Sequence, residues 1–138
     1  MDLSPEVLEI IKNARTIAVV GCSTNPEKAA HEVPKYLQSQ GYKIIPVNPR
    51  ADKILGEPAK KSLKEINEPV DIVDVFRPSD ETSAIVAEAV KLSPPPKLIW
   101  LQLGIKNDEA EKIAKESGIP IVMDHCLMVE HKRYFGKK

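Results

Sequence analysis

Five short runs rich in β-branched and other apolar residues, Ile17–Val20, Ile44–Val47, Ile72–Phe76, Leu98–Leu103 and Ile119–Met123, alternate along the chain with stretches of helical spacing. This alternation constrains the fold more than any other feature. Runs that are apolar almost throughout suit strands covered on both faces, as in a parallel sheet. Strands joined through helices build right-handed βαβ units. The helical stretches carry their own boundaries. Ser4 and Pro5 offer an N-cap and a first helical residue ahead of Val7, Leu8, Ile10 and Ile11. Val33 and Leu37 lie four apart before a stop at Gly41. Ser62–Ile66 has room for a turn or two. A segment opening at Ser79-Asp80-Glu81 presents Ile85, Val86, Ala89 and Val90, and must end before Pro94-Pro95-Pro96. Asn107-Asp108 caps a helix carrying Ala110, Ile113 and Ala114, stopped by Gly118, and Cys126–Tyr134 is a last helical candidate.

The expected architecture is α/β: one domain over residues 1–138, a Rossmann-like three-layer sandwich with a five-stranded parallel sheet of order 3-2-1-4-5. Two residues sit awkwardly in this order. Pro46 falls in an inner strand, where proline removes a ladder hydrogen bond. Asp74 interrupts the third strand, which this order puts at an edge, where a charge is tolerable.

Bulk properties exclude several classes of function. Twenty basic and twenty acidic residues cancel, so no overall attraction to nucleic acid or to a membrane surface is expected. Aromatics at 4% are too few for stacking platforms on single strands. No apolar stretch approaches the roughly 20 residues that span a bilayer, and no basic start leads into an apolar run. The two cysteines, Cys22 and Cys126, stand outside any CxxC pattern, which suits free thiols in a cytoplasmic chain. The histidines show no ligand spacing with them, so no metal site is expected. Twelve prolines and a surface rich in lysine and glutamate suit a thermophile.

Ligands of open α/β sheets sit beyond the carboxyl ends of the strands. After the first strand comes Gly21-Cys22-Ser23-Thr24-Asn25-Pro26, then Lys28. The glycine permits a tight turn and close backbone approach, while small donors and a following helix start favour a phosphate; a plain capping turn is the alternative. No G-x-G-x-x-G is present. Arg50, in Val47-Asn48-Pro49-Arg50, stands where an acidic residue would favour unphosphorylated ribose, and its guanidinium suits a phosphorylated one unless it is an ordinary exposed arginine. Phe76 can pack on a base or an extended arm, or belong to the core, and Arg77 can face a diphosphate. The fourth strand ends in an apolar lip with a glycine turn, Leu101-Gln102-Leu103-Gly104, and the fifth leads to Cys126.

Taken together, the stretches Ile17–Pro26, His31–Arg50, Val70–Pro78, Trp100–Ile105 and Val122–Cys126 resemble the single-domain coenzyme A-binding protein family. That family is similar to the N-terminal coenzyme A-binding domain of the succinyl-coenzyme A synthetase alpha subunit. The resemblance implies coenzyme A as cofactor. It assigns the phosphate-cradling loop to Gly21, Ser23, Thr24, Asn25 and Lys28, with Cys22 in the same loop. Pro49 and Arg50, and then Phe76, Arg77 and Pro78, are assigned to the nucleotide, and Leu101, Leu103 and Gly104 to the rim. Cys126 resembles a cysteine near the thiol end. The synthetase's phosphorylated histidine and partner subunit have no counterpart in this resemblance, so ligase activity is not implied and no catalytic residue is assigned.

The expected function is therefore binding of coenzyme A or an acyl derivative, as a carrier, sensor or protective module. The alternative is an NADP-dependent or coenzyme A-disulfide oxidoreductase using the same pocket, with Cys22 or Cys126 as the reactive thiol. A second copy of the chain, or an enzyme that uses acyl-coenzyme A, is the protein partner such a module would meet.

Overall fold

The computed structural model describes residues 2–136. In chain order the elements are α1 (Pro5–Asn13), β1 (Thr16–Val20), α2 (Ala29–Ser39), β2 (Lys43–Val47), β3 (Lys53–Ile54), β4 (Glu57–Pro58), β5 (Ile72–Val75), α3 (Thr82–Ala89), β6 (Leu98–Leu101), α4 (Asp108–Glu116), β7 (Ile121–Val122) and α5 (Leu127–Phe135). Single 3₁₀ turns occupy Leu63–Glu65 and Ser79–Glu81. The anticipated caps are in place. Ser4 accepts the Val7 N–H ahead of Pro5, and Asn107 accepts the Ala110 N–H. Each satisfies a donor that a helix N-terminus leaves orphaned.

Alternation along each strand divides the core in two. Ile17, Val19, Ile44, Ile72, Leu98 and Trp100 pack with α1, α2 and α5 on one face. Ala18, Val20, Ile45, Val73, Val75 and Leu101 pack with α3 and α4 on the other. Both faces of the sheet are thus covered, which explains why its strands read as unbroken apolar runs. Among the described residues no helix is long and apolar enough to cross a membrane.

The five strands are parallel, in the order β2-β1-β5-β6-β7. Counted by apolar run, this is 2-1-3-4-5, so the third run lies at the centre of the sheet and not beyond the second. What lies outside β2 is a single parallel bridge between Val47 and Lys60. Its bonds run from the Asn48 N–H to the Lys60 carbonyl and from the Lys60 N–H to the Pro46 carbonyl, both 2.8 Å. With that piece counted as the outermost member, the Rossmann-like arrangement is the expected one, and the third apolar run is its fourth member. The polar segment around Lys60 makes a two-residue hairpin and one bridge, too little to stand out as a run.

This placement corrects the reading of two residues. Pro46 is in the outer strand of the main sheet. Its carbonyl faces Lys60, away from β1, so its missing N–H falls on the side where β2 has no continuous ladder and costs no bond to β1. Asp74 is not at an edge: it pairs in register with Val19 and Trp100 in a central strand and is fully buried.

Candidate functional site

At the carboxyl ends of β1, β2 and β5 lies a cleft of about 980 Å³. One wall is the loop after β1, with Gly21, Cys22, Ser23, Thr24 and Lys28, and it continues to Ala30 in the first turn of α2. Facing it are the turn after β2, Asn48–Ala51, and the loop Lys61–Leu63. The third wall is Phe76 and Arg77 after β5, with Glu81 and the Ile85 and Glu88 side of α3.

The loop after β1 is held from both ends. The Gly21 N–H donates to the Val47 carbonyl at 3.0 Å, and the Asn48 amide donates to the Cys22 carbonyl at 2.9 Å. Gly21 has φ +86°, and a Cβ there would lie 3.0 Å from Arg77 Cδ and 3.2 Å from the Phe76 carbonyl oxygen. Only glycine fits both the backbone and the space. Further on, the Ser23 N–H donates to the Ala30 carbonyl at 3.0 Å. Pro34 has no N–H to offer that carbonyl, its helical partner four residues back, so it is free to accept from the loop. Asn25 shapes the rest: its side chain accepts the Glu27 N–H, and its own N–H donates to Ser23 Oγ. Among the described residues, no hydrogen bond within the protein engages Thr24 or the N–H groups of Ala29 and Ala30. The orphan donors of α2 and the Thr24 hydroxyl therefore border the cleft unpaired, an arrangement suited to an anion.

The cationic groups of the cleft fall into two sets. Lys28 belongs to the loop after β1. Arg50 and Lys61 face it from the opposite wall, and Lys61 Nζ donates to the Pro49 carbonyl at 3.3 Å. Asn48 shapes that wall by accepting the Arg50 N–H at 2.8 Å. Arg77 is occupied: its Nε and Nη2 donate to the two oxygens of Glu81, each at 3.0 Å. The second carboxylate, Glu88, accepts the Leu63 N–H at 3.1 Å.

Of the residues singled out in the sequence, Gly21, Cys22, Ser23, Thr24, Lys28, Pro49, Arg50, Phe76 and Arg77 line this cleft together. Asn25 supports it without lining it, and Pro78 lies outside it as the residue before the Ser79–Glu81 turn. Leu101 is a correction: it is fully buried in the core on the α3–α4 face, with no surface to offer a ligand. Leu103 and Gly104 lie elsewhere on the rim, where the Gly104 N–H donates to Asp124 Oδ1 at 2.7 Å and Leu103 projects 71% exposed. Cys126 is half-buried at the N-cap of α5, on the face of the sheet packed by α1, α2 and α5. His125 Nδ1 faces Glu130, 3.6 Å away.

The reading of Cys22 as a projecting thiol is corrected too. It is fully buried, and burial together with the nearby Asp74 carboxyl pushes its thiol up to about 12. A thiol so placed is almost wholly protonated near neutral pH and is a poor nucleophile. Among the described residues neither Asp74 oxygen finds a hydrogen-bond partner, and burial raises its carboxyl well above the usual range, which favours the neutral acid. Sequence reasoning missed Asn48, Lys61, Ser62, Leu63, Glu81, Ile85 and Glu88. The signal for Lys61 and its neighbours was available: a polar stretch following the second strand has to return past its carboxyl end.

Comparison with known proteins gives these features a context. The family model described as CoA binding domain matches residues 15–132. An uncharacterised protein of Bacillus subtilis, YneT, is 44% identical over 126 residues, which is 91% of this chain and 92% of that protein. The solved structure of cell-free ID.343 from Thermus thermophilus is 49% identical, superposes with a TM-score of 0.89, and is matched over 94% of this chain and 97% of that one. The alpha subunit of the ADP-forming acetate–CoA ligase II of Pyrococcus furiosus is 42% identical over 73 residues, 52% of this chain but only 16% of the ligase subunit.

Proposed function

Since the chain belongs to the CoA binding domain family, we propose that the cleft at the ends of β1, β2 and β5 binds coenzyme A or an acyl-coenzyme A, and that the protein acts as a carrier, sensor or protective module for it. The observation that carries this reading is the separation of two anion-favouring walls across one cleft. Thr24, Lys28 and the free N–H groups of α2 form one, and Arg50 and Lys61 form the other. Coenzyme A carries its diphosphate and its ribose 3′-phosphate as two distinct anionic groups. The first wall suits the diphosphate at a helix N-terminus, and the second suits the ribose phosphate. Phe76, between the walls, offers an apolar surface to the adenine or the start of the pantetheine arm.

The arm would leave this cleft along the rim towards Leu103 and Cys126, which places the acyl group or free thiol near the start of α5. A redox role built on Cys22 receives no support from so deeply buried a thiol, and Cys126 is the cysteine that such a role would need. Calorimetric titration of the full chain with coenzyme A, acetyl-coenzyme A and NADP tests the proposal. Saturable binding of the coenzyme A species at one equivalent, with NADP weaker, is the expected result; preference for NADP, or no binding of any of the three, would refute it.

A further inference from the structure

The cleft proposed above for a polyanion is lined by two carboxylates, which by charge alone should repel one. Glu88 is accounted for by its bond to the Leu63 N–H. Glu81 has no such structural tie. Both its oxygens are taken by Arg77, through Nε and Nη2 at 3.0 Å each, in the two-pronged geometry by which a guanidinium takes a carboxylate or a phosphate. The stem of Arg77 passes over the loop after β1: its Cδ lies 3.0 Å from where a Cβ on Gly21 would be. The Arg77 guanidinium thus has its Nε–Nη2 edge already filled. Both side chains are 46% exposed, and an ion pair so open to water holds its partners only weakly.

We propose that Glu81 is a specificity-determining residue of the site: its carboxylate occupies the Arg77 fork in place of the ligand's diphosphate, and binding exchanges one anion for the other. The inference rests on the coenzyme A reading. A ligand that brings a diphosphate displaces Glu81 and gains the fork. A ligand without one, such as pantetheine, leaves the pair closed and gains nothing from Arg77. Were Glu81 instead a brace that presents Arg77 to the ligand, removing its charge would weaken binding, so the two roles differ in sign.

The experiment is equilibrium binding of coenzyme A and of pantetheine to the full-length wild type, Glu81→Gln, Arg77→Ala and the double variant, at one ionic strength, with circular dichroism to confirm folding. Glu81→Gln is expected to bind coenzyme A about three- to ten-fold more tightly, from release of the exposed pair and loss of like-charge repulsion, with pantetheine unchanged. In the Arg77→Ala background the same substitution should give a markedly smaller gain, because the exchange needs the fork. Unchanged or weaker binding by Glu81→Gln, or a gain of full size without Arg77, would overturn the inference while leaving coenzyme A binding intact. A wild type that binds no coenzyme A would overturn the reading beneath it, and the inference with it.

Discussion

The Ser23 N–H donates to the Ala30 carbonyl, an acceptor that is free because Pro34, four residues further along α2, has no N–H to return to it. A proline inside a helix normally costs a bond. Here the bond is reassigned, and the loop after β1 is pinned to the helix it precedes.

Pro34→Ala supplies the competing donor. Amide hydrogen exchange at Ser23 should accelerate about ten-fold, and coenzyme A should bind roughly two- to five-fold more weakly, the worth of one net hydrogen bond. Unchanged protection at Ser23 in an otherwise native spectrum would show that the pin is held by something else.

Asp74 sets the pH dependence of stability. Its carboxyl titrates well above the ordinary carboxylate range when folded and near that range when unfolded, so between the two the unfolded state binds fewer protons than the native one. Stability is then lost as pH rises from about 4 towards the raised folded value. Asp74→Asn should flatten that decline, so that stability at pH 8 falls less below that at pH 5 than in the wild type, because the amide has no proton to lose. Urea titrations at pH 5 and pH 8 read this directly, and an equally steep decline in the variant would contradict it.

The two cysteines should differ sharply towards an alkylating reagent. With its thiol pushed up to about 12, Cys22 carries on the order of one thiolate in ten thousand at pH 8. Iodoacetamide followed by peptide mass mapping should therefore label the half-buried Cys126 in the native protein and reach Cys22 only after denaturation. Any mixed disulfide with coenzyme A should map to Cys126 and vanish in Cys126→Ser. Equal labelling of both would mean that Cys22 is far more open than its packing indicates.

Arg50 and Lys61 should discriminate coenzyme A from its 3′-dephospho form. Removing a charge-assisted bond costs about 1.5–3 kcal/mol, so Arg50→Ala should weaken coenzyme A roughly ten- to hundred-fold while hardly changing binding of dephospho-coenzyme A. Lys61→Ala should act in the same direction and less strongly. A uniform loss for both ligands would move the ribose phosphate away from this wall.

Most of the fold could be read from the residues, because buried parallel strands announce themselves as apolar runs and helix ends carry local signals such as Ser4-Pro5 and Asn107. The position of the third run could not. Its neighbours are decided by which edge it pairs with, and a run covered on both faces looks the same beside β2 as beside β1. Asp74, the one titratable residue in that run, suggested an edge because charge normally avoids a sheet centre; at the centre its burial raises its carboxyl well above the usual range, favouring the neutral form. In the site, the loop after β1 and Arg50 were readable from position and chemistry. The burial of Leu101 follows from strand alternation, which puts it against the α3–α4 face, whereas Cys22 lies past the end of β1, beyond the glycine turn at Gly21, and packs on the opposite face, where alternation does not predict it. Lys61 and Glu81 were not visible because they reach the cleft through loop paths that local patterning does not encode.

Pro46 has a consequence for life at high concentration. Among the described residues the outer side of β2 is bridged only at Lys60, with β4 packed beside it. A strand from another molecule laid along it would find no donor at Pro46 and the carbonyl there already committed to Lys60. Sheet growth from one molecule to the next needs a run of consecutive free groups, and a single imino acid interrupts it. The residue that looked like a flaw in the strand thus acts as its guard against self-templating.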